Sequence, residues 1–205
     1  MRFKSMSMMA KRIFDIFFAG LGLVVLAPFF VLVALAIKLD SAGPVLFRQE
    51  RVGLGGRVFC IHKFRTMVTD AEQKGFQITV GSDRHITRVG AFLRKYKLDE
   101  LAQLFDVIKG DMSMVGPRPE VPRYVACYPA DVRKIVLSVK PGITDWASIK
   151  FKDENSILGR ASDPYKAYVE EVLPIKLEYY LEYVRNQSLL GDLKIIFETV
   201  WALVR

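Results

Sequence analysis

The polarity of the chain changes along its length, and each change predicts a different kind of structure. Residues 13–37, "IFDIFFAGLGLVVLAPFFVLVALAI", are apolar on every face, with Asp15 the one charge. About 20 apolar residues suffice to cross a bilayer, so this run reads as membrane-inserted. Pro28 removes a backbone donor and crowds the carbonyl four residues earlier, so the pattern predicts helix, break, helix. At 1.5 Å per residue the arms are about 20 and 15 Å long, too short for either to cross a hydrocarbon core of about 30 Å. After Asp40 "VLFRQERV" and "RVFCIHKFRTM" flank "GLGG" and predict a β-hairpin over 45–64. The glycines there favour a turn over a phosphate cradle, because no Lys-Ser/Thr follows and no helix opens after them. Residues 69–87 are polar and without period, which predicts a helical turn and then a loop. "ITRVGAFLRKYKLDELAQLFDVIKG" is mostly helical. A second helix in it begins near Asp99, with Leu101, Leu104, Phe105 and Ile108 at i, i+3, i+4 and i+7 and Gly110 as the C′ stop. "VGPRPEVPRYVACYP" should be irregular and well ordered, and "AYVEEVLPIKLEYYLEYVRN" helical. The final "GDLKIIFETVWALVR" is too short to span. It reads as an amphipathic helix in the membrane interface with Trp201 at headgroup level, a core helix being the alternative.

The expected fold is therefore α+β and mostly helical: a membrane anchor over residues 1–39, then a globular part over 40–205 with a small β-hairpin and several helices. Charge adds a direction. Arg2, Lys4, Lys11 and Arg12 precede the apolar run, and Lys38, Arg48, Arg51 and Arg57 follow it. The positive-inside rule keeps both flanks in the cytoplasm, which a re-entrant hairpin satisfies and a kinked span does not. The net charge of +8 points to a polyanionic partner: nucleic acid, anionic lipid or a phosphorylated substrate. The basic residues are spread along the chain without a nucleic-acid-binding motif, which argues against the first. Two distant cysteines, Cys60 and Cys127, exclude a disulfide framework, and His62 and His85 stand apart from any zinc-ligand cluster.

The candidate chemistry lies in "KYKLDELAQLFDVIKGDMSMVGPRPE", where Asp99 stands directly before Glu100 and Arg118 between Pro117 and Pro119. Local helix chemistry alone favours Asp99 as an N-cap with Glu100 in the first turn. Adjacent helical residues point about 100° apart and do not normally share a target. The surroundings favour a second reading. Arg94, Lys95 and Lys97 lie just upstream, "KFRT" adds Lys63 and Arg65, and the two prolines hold Arg118 on a stiff backbone suited to gripping a phosphate. Carboxylates among fixed cations suit a magnesium–diphosphate site or covalent phosphoryl transfer.

"KLDELAQLFDVIKGDMSMVGPRPE", "RQERVGLGGRVFCIHKFRTM" and "KPGIT" resemble the bacterial sugar transferase family, the monotopic polyprenyl-phosphate phosphoglycosyl transferases, from about residue 8 to the C-terminus. The resemblance implies a re-entrant anchor in the bacterial inner membrane and a catalytic domain on its cytoplasmic face. It implies transfer of a sugar 1-phosphate from a UDP-sugar to undecaprenyl phosphate with release of UMP, the first step of a membrane-linked glycan. At this size it implies the catalytic core alone. Carried over position by position, Asp99 is the nucleophile that forms a phosphosugar-aspartyl intermediate and holds Mg²⁺. Glu100 takes the proton of the acceptor phosphate, and Arg118 binds phosphate, with Arg94, Lys63 and Arg65 in matching basic positions. Membrane lipid is a further partner, and a homodimer is compatible with the pattern. Two departures stand out: Ala102 and Asp106 replace the family's frequent Pro and Asn, and "DWASI" follows "KPGIT" in place of a Gly- and Gln-containing turn. The alternative class is a non-catalytic, membrane-anchored basic scaffold.

Overall fold

The computed structural model of the protein describes residues 7–68, 85–152, 154 and 158–204. Most of the polar stretch 69–87 lies outside these residues. The chain begins with one long helix, α1 (Met8–Asp40), which remains helical through Pro28. The expected interruption at Pro28 is thus replaced by a continuous helix that loses one backbone donor there. One stripe of α1 packs on the rest of the protein. Lys11, Asp15, Ala19, Val33 and Ile37 are buried, with Leu23, Leu26 and Phe30 half-buried between them. These positions recur every three or four residues, the signature of a single helix face. The other faces carry exposed Phe17, Val24, Val25, Val31, Leu32 and Leu35. Only 11% of the most apolar 18-residue window is buried, so most of α1 is not covered by the described residues.

Both ends of α1 are tied to the same body. Arg12 donates to the carbonyls of Val107 (2.6 Å) and Ile108 (2.8 Å), and Lys11 pairs with Asp192 at 2.7 Å. Asp15 accepts from the Ser113 hydroxyl and the Met114 amide, which explains a charge inside an apolar run. At the far end Asp40 accepts the Val89 amide. A helix of 33 residues is about 50 Å long, so the globular part underlies α1 along its length.

The hairpin forms as expected: β1 (Leu46–Val52) pairs antiparallel with β2 (Val58–Phe64), in a register from Leu46 opposite Phe64 to Val52 opposite Val58. Within its turn the amides of Gly53, Gly55 and Gly56 bond to the carbonyls of Arg57, Leu137 and Gly53, so they form a turn and leave no phosphate cradle. On β2 the two-residue period puts Phe59, Ile61 and Lys63 on one face. Phe59 and Ile61 bury against Ala19 and Leu104, and Lys63 is carried on to the acidic pair.

Next come α2 (Arg88–Lys95), capped by Thr87 on the Gly90 amide, a 3₁₀ segment (Leu98–Gln103), and α3 (Leu104–Lys109), ended by Gly110 at φ 98°. The α3 stripe differs from expectation. Leu104 and Val107 are buried, whereas Phe105 and Ile108 face outward, Phe105 lying against Phe30 of α1. A second sheet, too short to leave a period in the sequence, pairs β3 (Ser113–Val115) with β4 (Gly142–Thr144) in parallel. It brings "VGPRP" against "KPGIT". A Cβ on Gly142 would lie 2.0 Å from the Gly116 nitrogen, so only glycine permits this approach.

The chain continues through α4 (Pro122–Val125), which packs on β1, α5 (Ala130–Val136), α6 (Trp146–Lys150) and α7 (Pro164–Ala167). Helix α7 continues through a π-helical turn (Tyr168–Val172) into α8 (Leu173–Asn186). The chain closes with α9 (Leu189–Val204). Asp192 and Ile195 of α9 are buried, while Leu190, Leu193, Phe197 and Trp201 are exposed, so α9 is amphipathic with an apolar outer face.

Candidate active site

The turn between α2 and the 3₁₀ segment rests on Lys97, at φ 55°, a backbone conformation that costs a non-glycine residue free energy. Lys97 occupies the N-cap position, so the reading of Asp99 as cap gives way. Asp99 sits inside the first 3₁₀ turn and is 8% exposed. In a 3₁₀ helix successive residues diverge by about 120°. Asp99 and Glu100 therefore face different surroundings.

Glu100 is fully engaged. Arg118 grips it with both terminal nitrogens, Nη1 lying 2.8 Å from Oε2, and Lys63 donates to Oε1 at 2.9 Å. Burial alone would raise the Glu100 pKa, but Arg118 and Lys63 outweigh it and hold the carboxyl well below the usual glutamate range. Asp99 makes no hydrogen bond or ion pair with a described residue. Burial pushes its pKa up, Lys63 opposing and the adjacent Glu100 charge reinforcing the shift. The two acids have become unlike: one a pinned anion, the other a desolvated carboxyl facing a cavity.

That cavity, about 1050 Å³, is lined by all six expected residues: Lys63, Arg65, Arg94, Asp99, Glu100 and Arg118. Glu100, Arg118 and Lys63 touch directly. Arg94 reaches Thr66 Oγ1 at 2.9 Å, and its charge acts on Asp99. Arg65 donates through Nη2 to the Ser41 carbonyl (2.7 Å) and hydroxyl (2.9 Å), leaving its buried Nε and Nη1 without a protein partner among the described residues. Thus Arg94 and Arg65 stand on the wall of the site rather than in its ion-pair cluster.

Sequence reasoning missed the layer behind Arg118. Arg51 donates to the Pro119 carbonyl at 3.0 Å. The next residue, Glu120, is buried and accepts from the Tyr168 hydroxyl and from Lys176 Nζ at 3.0 Å, and Lys176 also meets Glu154 at 3.1 Å. Burial opposes ionisation of Glu120, but Lys176 and Arg51 prevail and hold its pKa below the usual value. Arg51 lay within a quoted motif. Lys176, in "PIKLEYY", carried no signal, since a lysine in a helical pattern reads as solvated. The departure at Asp106 also acquires a reason: its carboxylate takes the His62 amide at 2.8 Å and the ring Nδ1 at 2.6 Å, tying β2 to α3.

Among the described residues no cluster of three His, Cys, Asp or Glu forms a self-sufficient metal cage. Of the acids lining the cavity, Asp99 is the one whose carboxylate could hold a divalent cation, which would need further oxygen ligands from outside the described residues.

The family model described as bacterial sugar transferase matches residues 6–205. The chain belongs to that family. One sugar transferase relative is the UDP-N-acetylgalactosamine-undecaprenyl-phosphate N-acetylgalactosaminephosphotransferase of Aeromonas hydrophila, 39% identical over 192 residues, covering 93% of this chain and 42% of that protein. Another is the UDP-glucose:undecaprenyl-phosphate glucose-1-phosphate transferase of Escherichia coli K12, 39% identical over 194 residues, covering 93% and 39%. The exopolysaccharide production protein PSS of Rhizobium leguminosarum bv. phaseoli is 39% identical over 210 residues, covering 95% of each chain. The chain spans about two fifths of the first two relatives and nearly all of the third. A long apolar helix in a member of this family supports association with a membrane.

Proposed function

We propose that the protein transfers a sugar 1-phosphate from a UDP-sugar to undecaprenyl phosphate. The observation that carries this reading is the buried Asp99, without a hydrogen-bond partner among the described residues, beside a Glu100–Arg118–Lys63 cluster and in one cavity with Arg65 and Arg94. A carboxylate stripped of water and of partners is a stronger nucleophile than a solvated one, and Lys63, Arg94 and Lys97 favour its charged form. Asp99 attacks the β-phosphorus, the bond to the UMP oxygen breaks, and UMP leaves with that electron pair. A phosphate oxygen of the acceptor then attacks the same phosphorus, and the phosphorus–Asp99 bond breaks to restore the carboxylate. Arg118 and Lys63 bind the substrate phosphates, and their transfer from Glu100 to phosphate removes the cations that keep Glu100 a weak base. Burial then raises its affinity for the acceptor proton. Asp99 would hold Mg²⁺, which would supply neutralisation of the diphosphate charge.

The membrane arrangement is part of the proposal. A helix crossing the bilayer carries one end to the far side, yet one body holds both ends of α1 through Arg12 and Asp40. This favours an α1 that is embedded from the cytoplasmic face without crossing, its exposed apolar faces in the lipid and the outward face of α9 in the interface. The deciding experiment measures UMP release from UDP-N-acetylgalactosamine and UDP-glucose with undecaprenyl phosphate. Activity in the parent and none in Asp99→Asn supports the reading. Full activity in the variant sinks it, and a non-catalytic scaffold shows no magnesium-dependent turnover at all.

A further inference from the structure

The cavity extends well beyond the charged cluster. It is also lined by α6 and α9, with apolar Met114, Ile143, Ile149, Ile196, Val200 and Leu203 and, among them, Thr144, Ser148, Lys152 and Thr199. Its volume, about 1050 Å³, lies at the top of the range of single small-molecule sites, about 300–1,000 Å³. On α9 the lining positions Ile196, Thr199, Val200 and Leu203 recur at i, i+3, i+4 and i+7, one helix face. Val200 belongs to two surfaces: it lines the cavity and is 57% exposed, next to exposed Phe197 and Trp201. The apolar limb therefore opens onto the outward apolar face of α9. Its walls are braced. The Thr144 and Thr199 hydroxyls meet at 2.7 Å, and Lys152 donates to the Ala202 carbonyl at 2.5 Å, holding the last turn of α9 in place.

We propose that this limb takes the first isoprene units of the polyprenyl phosphate acceptor, which enters past Val200 with its phosphate at the Lys63–Arg118 end. The proposal rests on the transferase reading above. A cavity that is cationic at one end, mostly apolar at the other, where the Thr144 and Thr199 hydroxyls satisfy each other and Lys152 is held by the Ala202 carbonyl, and open to an apolar outer surface, matches a long apolar chain with one anionic head. A nucleotide sugar is polar along its length, and its hydroxyls would lose hydrogen bonds against Met114, Ile143 and Ile196. An isoprenoid leaving the bilayer for this limb exchanges one apolar surroundings for another, so recognition comes from shape more than from hydrophobic gain. Blocking the limb should therefore do more harm than trimming it.

The test uses the full chain in lipid nanodiscs and separates the two half-reactions. UMP released in a single burst from UDP-N-acetylgalactosamine or UDP-glucose reports the first, and addition of undecaprenyl phosphate reports the second. Ile196→Trp and Val200→Trp are expected to keep the burst and the donor KM. Their acceptor KM should rise by on the order of tenfold, the low end of what one ill-fitting group costs in an apolar pocket. Phe197→Trp, on the outward face, should change neither. A second readout needs no turnover: with Cys60 and Cys127 replaced by serine, maleimide labelling of Leu203→Cys should be slowed by undecaprenyl phosphate and not by the UDP-sugars. Unchanged acceptor KM and unprotected labelling, with the burst intact, overturn the limb assignment while leaving the transferase reading standing. A raised donor KM also overturns it, assigning the limb to the nucleotide. Protected labelling without any UMP release supports the limb and overturns the transferase reading instead.

Discussion

Lys176→Met deletes one buried cation and little volume, and the structure shows what it leaves behind. Lys176 is 2% exposed and lies 3.0 Å from Glu120 and 3.1 Å from Glu154. Without it Glu120 keeps the Tyr168 hydroxyl and the guanidinium of Arg51, 3.8 Å away. Removing one partner of a buried ion pair costs about 3–5 kcal/mol, because the remaining charge stays desolvated. For a chain of 205 residues, at about 2–4 °C per kcal/mol, the apparent Tm of the detergent-solubilised protein should fall by roughly 6–20 °C. The pH dependence gives the cause. In the parent, Glu120 has a depressed folded pKa, so its contribution is present above the unfolded glutamate value, about 4.3, and is lost as pH falls through the folded one. In the variant, burial loses its largest opponent and drives the folded pKa above the unfolded value. The residual contribution is then full at low pH and lost as pH rises, so the Tm deficit should be smaller at pH 5 than at pH 8. Adding Glu120→Gln should recover part of the loss. A Tm within about 2 °C of the parent, well short of the loss of a buried partner, or a deficit independent of pH, would refute the reasoning.

Other outcomes follow from the same geometry. Asp99→Asn should abolish UMP release without lowering Tm, since the variant removes an unpartnered buried carboxyl; thermal scans of both proteins check this. Arg118→Lys cannot reproduce the two-nitrogen grip on Glu100, and kcat/KM for the UDP-sugar should drop by at least about tenfold, the equivalent of one charge-assisted hydrogen bond. Single cysteines placed before Arg12 and after Asp40, in a background lacking Cys60 and Cys127, should both be labelled only from the cytoplasmic side, and labelling on opposite sides would show that α1 spans.

What could be read from the sequence was whatever leaves a period or a special residue. The hairpin, the stop at Gly110 and the apolar run each did so. Lys63, Glu100 and Arg118 were brought together on paper by charge and by the flanking prolines, and they meet in the fold. Four residues whose burial escaped notice share a physical reason. Glu120, Lys176, Asp192 and Lys11 are charges whose burial depends on a partner 56 or 181 positions away. Local pattern treats any such residue as solvated, because an unpaired charge inside a protein is prohibitive and the pairing is invisible until the chain folds.

The acidic pair shows how a small difference in local geometry gives two neighbouring carboxylates unlike surroundings. An α-helix capped by Asp99 would have committed that carboxylate to backbone amides, lowering its pKa and hiding its oxygen atoms. The left-handed turn at Lys97 and the 3₁₀ segment after it move the cap position two residues earlier. Asp99 is thereby left without amide partners among the described residues, and Glu100 is rotated onto Arg118 and Lys63. The backbone energy held at Lys97 thus has a local consequence: it keeps one acid unpartnered beside another that is fully paired. Two neighbouring carboxylates could serve as nucleophile and base only if their surroundings differed this much.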